Sequence, residues 1–414
     1  MYWWLRPSRL ALGILLPIFL VCSGLGDESF ALYGHMSNYL SGEVFWLGLA
    51  SLLLFAGGAA AVESRDLSRL SRSLIAPVLI NRVLLGLYVV TILANLIFLF
   101  PVVSNLGLVM QLASGSPTAM YDLRETLNQI PGITSFVGLQ SLCMTFHFGY
   151  RRFTGLKIPP LFTGFMVTLV ALCLLRAWLW SERLALLELA LPVIVLTFSE
   201  TKKFKPWLVF APFIGFAGLF VIFSFGEYFR SWQNYQGTTD LSYFEFMWAR
   251  FAGYYATALN NGASIVKFLD PAFEPINTAQ WFYKFPLWAL LGIRFDGNIF
   301  FADEDWFSFL DYRGNAEFNN PSGLFVVYYD YGILLGLFVW FWLGLLCGAL
   351  FRSFARRGLI GLILYPVWFI GILEIPLIFY WGGTRFFPVL ATALILTSFL
   401  GKRVRDRGKP ERQI

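Results

Sequence analysis

The sequence predicts an all-α, polytopic integral membrane protein of about ten transmembrane helices, with one large helical loop on the outer, periplasmic side. Three observations carry that expectation. The 414 residues are 57% hydrophobic and only 14% charged, with 44 Phe, 18 Tyr and 15 Trp, a balance outside the soluble range. Apolar runs of about 18 to 25 residues recur from end to end, each long enough for a hydrocarbon core of roughly 30 Å. The basic residues sit in short clusters between those runs, so the net charge of +6 reads as membrane topology and not as a nucleic-acid surface.

The expected spans are 10–25, 40–62, 80–102, 133–149, 158–178, 181–198, 207–225, 323–350, 359–380 and 385–400. Residues 1–225 then hold the first seven spans, 226–320 the large loop, 321–400 the last three spans and 401–414 a basic tail. With the amino end inside, every loop on that side is basic: Arg6 and Arg9, then Arg65, Arg69 and Arg72, then Arg151, Arg152 and Lys157, then Lys202, Lys203 and Lys205, then Arg352, Arg356 and Arg357, and finally the tail. The positive-inside rule thus places both termini in the cytoplasm. The first apolar run follows Arg6 and Arg9 like a signal peptide but lacks a small-residue cleavage site, so it is expected to be an uncleaved anchor.

Cys22, Cys143, Cys173 and Cys347 lie in or beside apolar runs without metal-ligand spacing and are expected to be packing residues. The only histidines are His35 and His147, which argues against a histidine nucleophile or a metal centre. The acidic run with Asp303, Glu304, Asp305 and Asp311 lacks an EF-hand pattern and reads as a solvated face. No phosphate-binding glycine loop and no internal repeat is present. Outside the membrane, YDLRETLNQIPG is amphipathic and expected along the interface. Within residues 226–320, SYFEFMWARFAGYYATALNNGASIVKFL reads as a helix, and TAQWFYKFPLWALLGI, too short to span and carrying Pro286, as an interfacial dip. Loops of that length are generally functional.

Charges at the outer mouth of the spans are the sharpest chemical signal, because an ionised side chain at the bilayer centre costs about 2.5–3.5 kcal/mol on insertion scales. Arg176, Arg183, Arg230, Arg250 and Arg385 qualify. Arg183 follows Ser181, a plausible N-cap, and a cation at a helix amino end opposes the macrodipole unless an anion sits there. The competing reading pairs Arg183 with Glu182 or Glu188, or lets it snorkel to headgroups. Arg250, Tyr254 and Asn261 fall on one helical face, beside Tyr255, and suit a phosphate followed by a sugar. The alternative is an amphipathic helix turning these residues to water. Asp330, inside the eighth span, is expected either to pair with an arginine or to act in catalysis. Glu188 and Glu374, also within spans, would suit a proton path in a transporter.

At these residues the chain resembles the bacterial O-antigen and oligosaccharide repeat-unit polymerases of the Wzy type. The resemblance rests on Ser181-x-Arg183 before an apolar helix, on the outer loop with its Arg250 helix, and on NNPSGLFVVYYDYGILLG, with Asn320, Asp330, Gly332 and Gly336. It implies a metal-independent, cofactor-free transfer of a growing glycan from undecaprenyl pyrophosphate to an incoming lipid-linked repeat unit, at the periplasmic face of the inner membrane. Residues matching Arg183 and Arg250 would hold the diphosphate, with Arg230 as a further cation. Asp330, Glu227 and Glu317 are the candidate bases, and Arg176, Arg385, Tyr254, Tyr255, Asn261 and Asn320 the substrate contacts. Membrane lipids and a chain-length regulator are the further partners, with no nucleic acid. The related ligases carry a histidine near the end of the large loop, where this chain reads EFNN (Glu317 to Asn320), which favours a polymerase.

Two other classes compete. A lipid-linked oligosaccharide flippase or transporter would use Glu188, Glu374 and Arg176 as a path, although no internal repeat supports it. A scaffold subunit of an envelope assembly would tolerate loss of Arg183 and Arg250.

Overall fold

The computed structural model describes residues 2–34, 36–63, 74–114, 130, 132–180, 182–199, 205–237, 240–293, 295 and 304–407. Ser181, His35, Asp303, the stretch 121–129, the basic clusters at 65–72 and 202–203 and the end of the tail lie outside these residues. Among the described residues the fold is helical, without strands. In chain order the main helices are α1 (Pro7–Ser23, with a π turn at Ala11–Leu15), α2 (Asp27–Gly34), α3 (Gly42–Val62), α4 (Pro77–Ser104), α5 (Leu106–Ala113), α6 (Gln140–Thr154), α7 (Pro160–Trp180), α8 (Arg183–Ser199), α9 (Ala211–Glu227), α10 (Tyr243–Phe268), α11 (Glu304–Arg313), α12 (Gly323–Ala355), α13 (Leu359–Glu374) and α14 (Phe386–Arg407).

Among the described residues five segments are long and apolar enough to cross a bilayer: Gly42–Val62, Pro77–Val102, Pro160–Leu179, Pro206–Glu227 and Gly323–Ala355, with mean hydropathy from 1.9 to 2.5. α1, α13 and Phe386–Gly401 are apolar but shorter. The protein is therefore membrane-embedded, because helices satisfy every internal backbone group within themselves. Helices also stand at the fourth and sixth expected spans, but α6 and α8 are of another kind. Gln140, Ser141, Thr145 and His147 of α6 and Glu188 of α8 are buried inside the protein, so neighbouring helices, not lipid, surround their polar side chains. His147, for example, shares a 2.8 Å hydrogen bond with the Tyr88 hydroxyl.

The ends differ from expectation for local reasons. α6 is entered through a 3₁₀ turn, Thr134–Leu139, and ends at Gly155, whose φ of 77° is the left-handed cap that glycine adopts without strain. The ninth expected span stops six residues early, at Glu374 and not at Tyr380. Pro376 has no N–H with which to continue the ladder, and the Leu377 and Ile378 N–H groups both close on the Glu374 carbonyl. α10 forms where expected, fixed by a capping box in which Ser242 and Glu245 bond each other's backbone N–H groups. The interfacial dip is two short helices, Gln280–Tyr283 and Pro286–Leu290, with Pro286 opening the second. Leu287, Leu290, Leu291 and Ile293 are exposed there, an apolar surface suited to an interface.

α12 is the axis of the packing. It lies against α3 so closely that a Cβ on Gly344 would collide with the Phe55 carbonyl, and one on Gly58 with the Phe341 carbonyl. Small residues are what allow two membrane helices to approach backbone to backbone. α12 is also broken at Gly332 (φ 70°, ψ 177°), and the chain before the dip docks on that break: the Tyr329 carbonyl accepts from Ala272 N–H at 2.7 Å. Gly344→Leu is expected to push α3 and α12 apart at a cost of at least about 1–3 kcal/mol, the range for overpacking. Thermal unfolding in detergent would show a lowered midpoint, whereas Leu334→Ala, on an exposed side chain, would leave it within error.

Candidate functional site

The exit of α9, the helix α10, the chain at 314–320 and the start of α8 meet around Arg250. The Arg250 guanidinium donates Nε to Glu227 at 2.8 Å and Nη2 to Glu317 at 2.5 Å. Glu227 also accepts from the Ser231 hydroxyl at 2.7 Å, one turn along. Arg250 and Glu227 are buried, whereas the Glu317 side chain is 42% exposed. Burial works against the charged guanidinium, but the two carboxylates outweigh it and raise the Arg250 pKa above its ordinary value. The Phe318 ring lies 4.8 Å from the same guanidinium.

The face predicted from Arg250, Tyr254 and Asn261 exists, and most of it is spent on holding the chain at 314–320. Asn261 is fully buried: its amide donates to the Phe318 carbonyl at 2.8 Å and its oxygen accepts from Asn315 N–H at 3.1 Å. The Asn320 amide donates to the Tyr254 hydroxyl at 2.7 Å. Asn261 and Asn320 therefore build the wall of the site.

Arg183, the first residue of α8, reaches this wall from the other side. Its guanidinium carbon lies 3.8 Å from the centre of the Tyr254 ring. The ionisable groups whose charge reaches it are Tyr254, Glu374, Tyr255 and Glu227. Among the described residues no carboxylate forms an ion pair with it. The sequence offered Glu182 and Glu188 as its partners, and the structure gives both to other arginines. Glu182 pairs with Arg385 and, at 3.2 Å, with Arg176. Glu188 accepts from Arg385 at 2.5 Å, from the Gln140 amide at 2.7 Å and from the Tyr380 hydroxyl at 2.9 Å. Arg176, fully buried, also donates to Asn95 at 3.1 Å and Gln140 at 3.4 Å.

Arg176 and Arg385 thus belong to a closed charge network between α4, α6, α7, α8 and the chain before α14, and neither is brought onto the wall around Arg250. Sequence reasoning missed the members Asn95, Gln140 and Tyr380. A carboxamide inside an otherwise apolar run was the available signal, since such a group has to find a partner in the interior.

Asp330 is also taken elsewhere. Its carboxylate accepts from the backbone N–H and side-chain amide of Asn277 and from the backbone N–H and hydroxyl of Thr278, at 2.7 to 3.1 Å. No arginine pairs with it among the described residues. It holds the chain before the dip onto the broken part of α12. Arg230 lies in the π turn Tyr228–Trp232 that follows α9, and its side chain is outside the described residues. Tyr255 packs edge-on against Phe251, with ring centres 5.7 Å apart, within electrostatic range of Arg183 and Glu374. Among the described residues no group of histidine, cysteine and carboxylate side chains suits a metal ion.

The two ion pairs of Arg250 differ in burial and so in worth. Arg250→Ala removes the buried cation paired with Glu227 and is expected to cost about 3–5 kcal/mol. Glu317→Ala removes a half-exposed partner and is expected to cost about 0–1 kcal/mol. Equilibrium unfolding of the two variants in the same micelle would test that order.

The chain was compared with protein-family models, with curated proteins and with solved structures, and none of them matches it.

Proposed function

We propose that this protein is a glycan polymerase of the bacterial inner membrane. It crosses the membrane ten times with both termini in the cytoplasm, and it transfers a growing oligosaccharide from undecaprenyl pyrophosphate to an incoming lipid-linked repeat unit at the periplasmic face. The single observation that supports this most is Arg183. In an interior where Arg176, Arg250 and Arg385 are each held by carboxylates, its guanidinium lies against a tyrosine ring with no ion pair among the described residues. A half-buried cation left in that state is a site for an anion.

The leaving group of the reaction is a diphosphate, whose charge grows as the glycosidic bond breaks. Arg183 supplies a guanidinium that matches phosphate geometry, and it opens a helix whose first turn carries backbone N–H groups without intrahelical partners. Such fixed donors, aimed where charge develops, are the largest expected contribution to the rate. Arg250 stands next to it, its guanidinium held in place through Nε by Glu227 and through Nη2 by Glu317, which leaves Nη1 to donate to a second phosphate oxygen. Tyr255, whose hydroxyl has no hydrogen bond among the described residues, presents a phenol to the sugar beyond the diphosphate. Residues 226–320 then close one side of a membrane-embedded site.

The test uses polyprenyl-diphosphate oligosaccharides extracted from cells in which the gene is deleted, given to the purified protein in vesicles. A ladder of longer glycans is the expected product. Arg183→Ala should lower the rate by about 10²–10³, as loss of an electrostatic donor does. Arg183→Lys should recover only part of it, because an ammonium lacks the planar fork. Undiminished ladders from Arg183→Ala would exclude the diphosphate role, and substrate crossing the vesicle without growing in length would identify a flippase.

A further inference from the structure

Resting on that reading, we infer that Glu374 is the catalytic base that takes the proton from the acceptor sugar's hydroxyl. The inference follows from where the other carboxylates are committed. Glu227 is held by Arg250 and Ser231, and Glu317 by Arg250. Glu182 and Glu188 are held in the Arg176–Arg385 network, and Asp330 by Asn277 and Thr278. Glu374 is 4% exposed, yet its carboxylate has neither a hydrogen bond nor an ion pair among the described residues. Its oxygens are not among the polar atoms sealed in the interior without a partner. An oxygen that is unpartnered and not sealed opens onto accessible space.

The same is true of the groups opposite. Glu374 and Arg183 lie close enough to feel each other's charge, and Tyr255 and Tyr380 share that field. Glu374 and Arg183 nevertheless form no ion pair, so a gap remains between a cation and a carboxylate that would otherwise close on each other. Neither Arg183 nor the Tyr255 hydroxyl is among the sealed atoms. The position of Glu374 is set by the backbone: it is the last residue of α13, and the turn enforced by Pro376 locks its own carbonyl onto two N–H groups. A carboxylate fixed at a helix end thus lies within electrostatic range of the Arg183 guanidinium, both of them without an ion pair among the described residues, and the Tyr255 phenol shares that field.

Glycosyl transfer needs this pair. The acceptor O–H bond breaks, its proton passes to a Glu374 oxygen, and the oxygen's electron pair forms the new bond to the anomeric carbon. The bond from that carbon to the diphosphate oxygen breaks in turn, and its electron pair leaves with the diphosphate against Arg183. The proton on Glu374 returns to water after the product departs. No metal, oxidant or further co-reactant is required for the balance.

The experiment uses the full-length protein in vesicles with the extracted lipid-linked oligosaccharides, and undecaprenyl pyrophosphate as the binding probe. Glu374→Gln, which preserves volume, is expected to slow ladder formation by about 10²–10⁴, the range for a general base, while binding of undecaprenyl pyrophosphate stays within about threefold of the unaltered protein, under 1 kcal/mol. Formate is expected to restore part of the rate to Glu374→Ala, a response that a purely structural residue would not give. A Glu374→Gln protein that polymerises at the original rate while Arg183→Ala does not would overturn this assignment alone. Parallel loss of binding and rate in Glu374→Gln, or no rescue by formate, would overturn it as well. Absence of any ladder from the unaltered protein would overturn the polymerase reading and this inference with it.

Discussion

A charged side chain inside a membrane protein has to find an opposite charge, and most of what this structure does follows from how its arginines meet that demand. Taking an ion out of water costs several kcal/mol even after relaxation, so a buried guanidinium without a carboxylate is rarely retained. Arg176 and Arg385 solve the problem together, sharing Glu182 and dividing Gln140 and Glu188 between them. That shared network draws α4, α6, α7, α8 and the chain before α14 to one place. It also explains why α6, with Gln140, Ser141, Thr145 and His147 buried along it, is almost wholly enclosed: Gln140 is a partner the network needs.

Arg250 solves the same problem with Glu227 and Glu317, and in doing so fixes the chain that follows α9. One partner comes from the end of α9 and the other from the residues just before α12, so the guanidinium ties both ends of the 226–320 segment to the middle of α10. Asn261 and Asn320 complete the attachment through backbone carbonyls and the Tyr254 hydroxyl. The segment's described residues consequently form a folded wall. Once these two networks have claimed their carboxylates, Arg183 and Glu374 are left without an ion pair among the described residues, each within the other's electrostatic range.

Much of this was legible in the sequence. Helices stand at the expected spans, five of them among the described residues long and apolar enough to cross a bilayer, and the run from Ser242 read as a helix is α10. The periodicity of Arg250, Tyr254 and Asn261 correctly placed them on one face. Arg183 and Arg250 stood out because topology did not account for cations at that depth. Pairing was not legible. Glu182 and Glu188 sit next to Arg183 along the chain yet bind Arg385, which is two hundred residues away, and Asp330 meets Asn277 and Thr278 instead of an arginine.

The sequence by itself thus determined the class of fold, the helices and the residue types that carry charge into the membrane, because these depend on local hydropathy, helical period and capping. Only the tertiary structure decided which charges neutralise one another, because an ion pair depends on distances between helices that no spacing along one chain specifies. That decision turned Asp330 into a strut, put Arg176 and Arg385 into a closed network, and left Arg183 and Glu374 open.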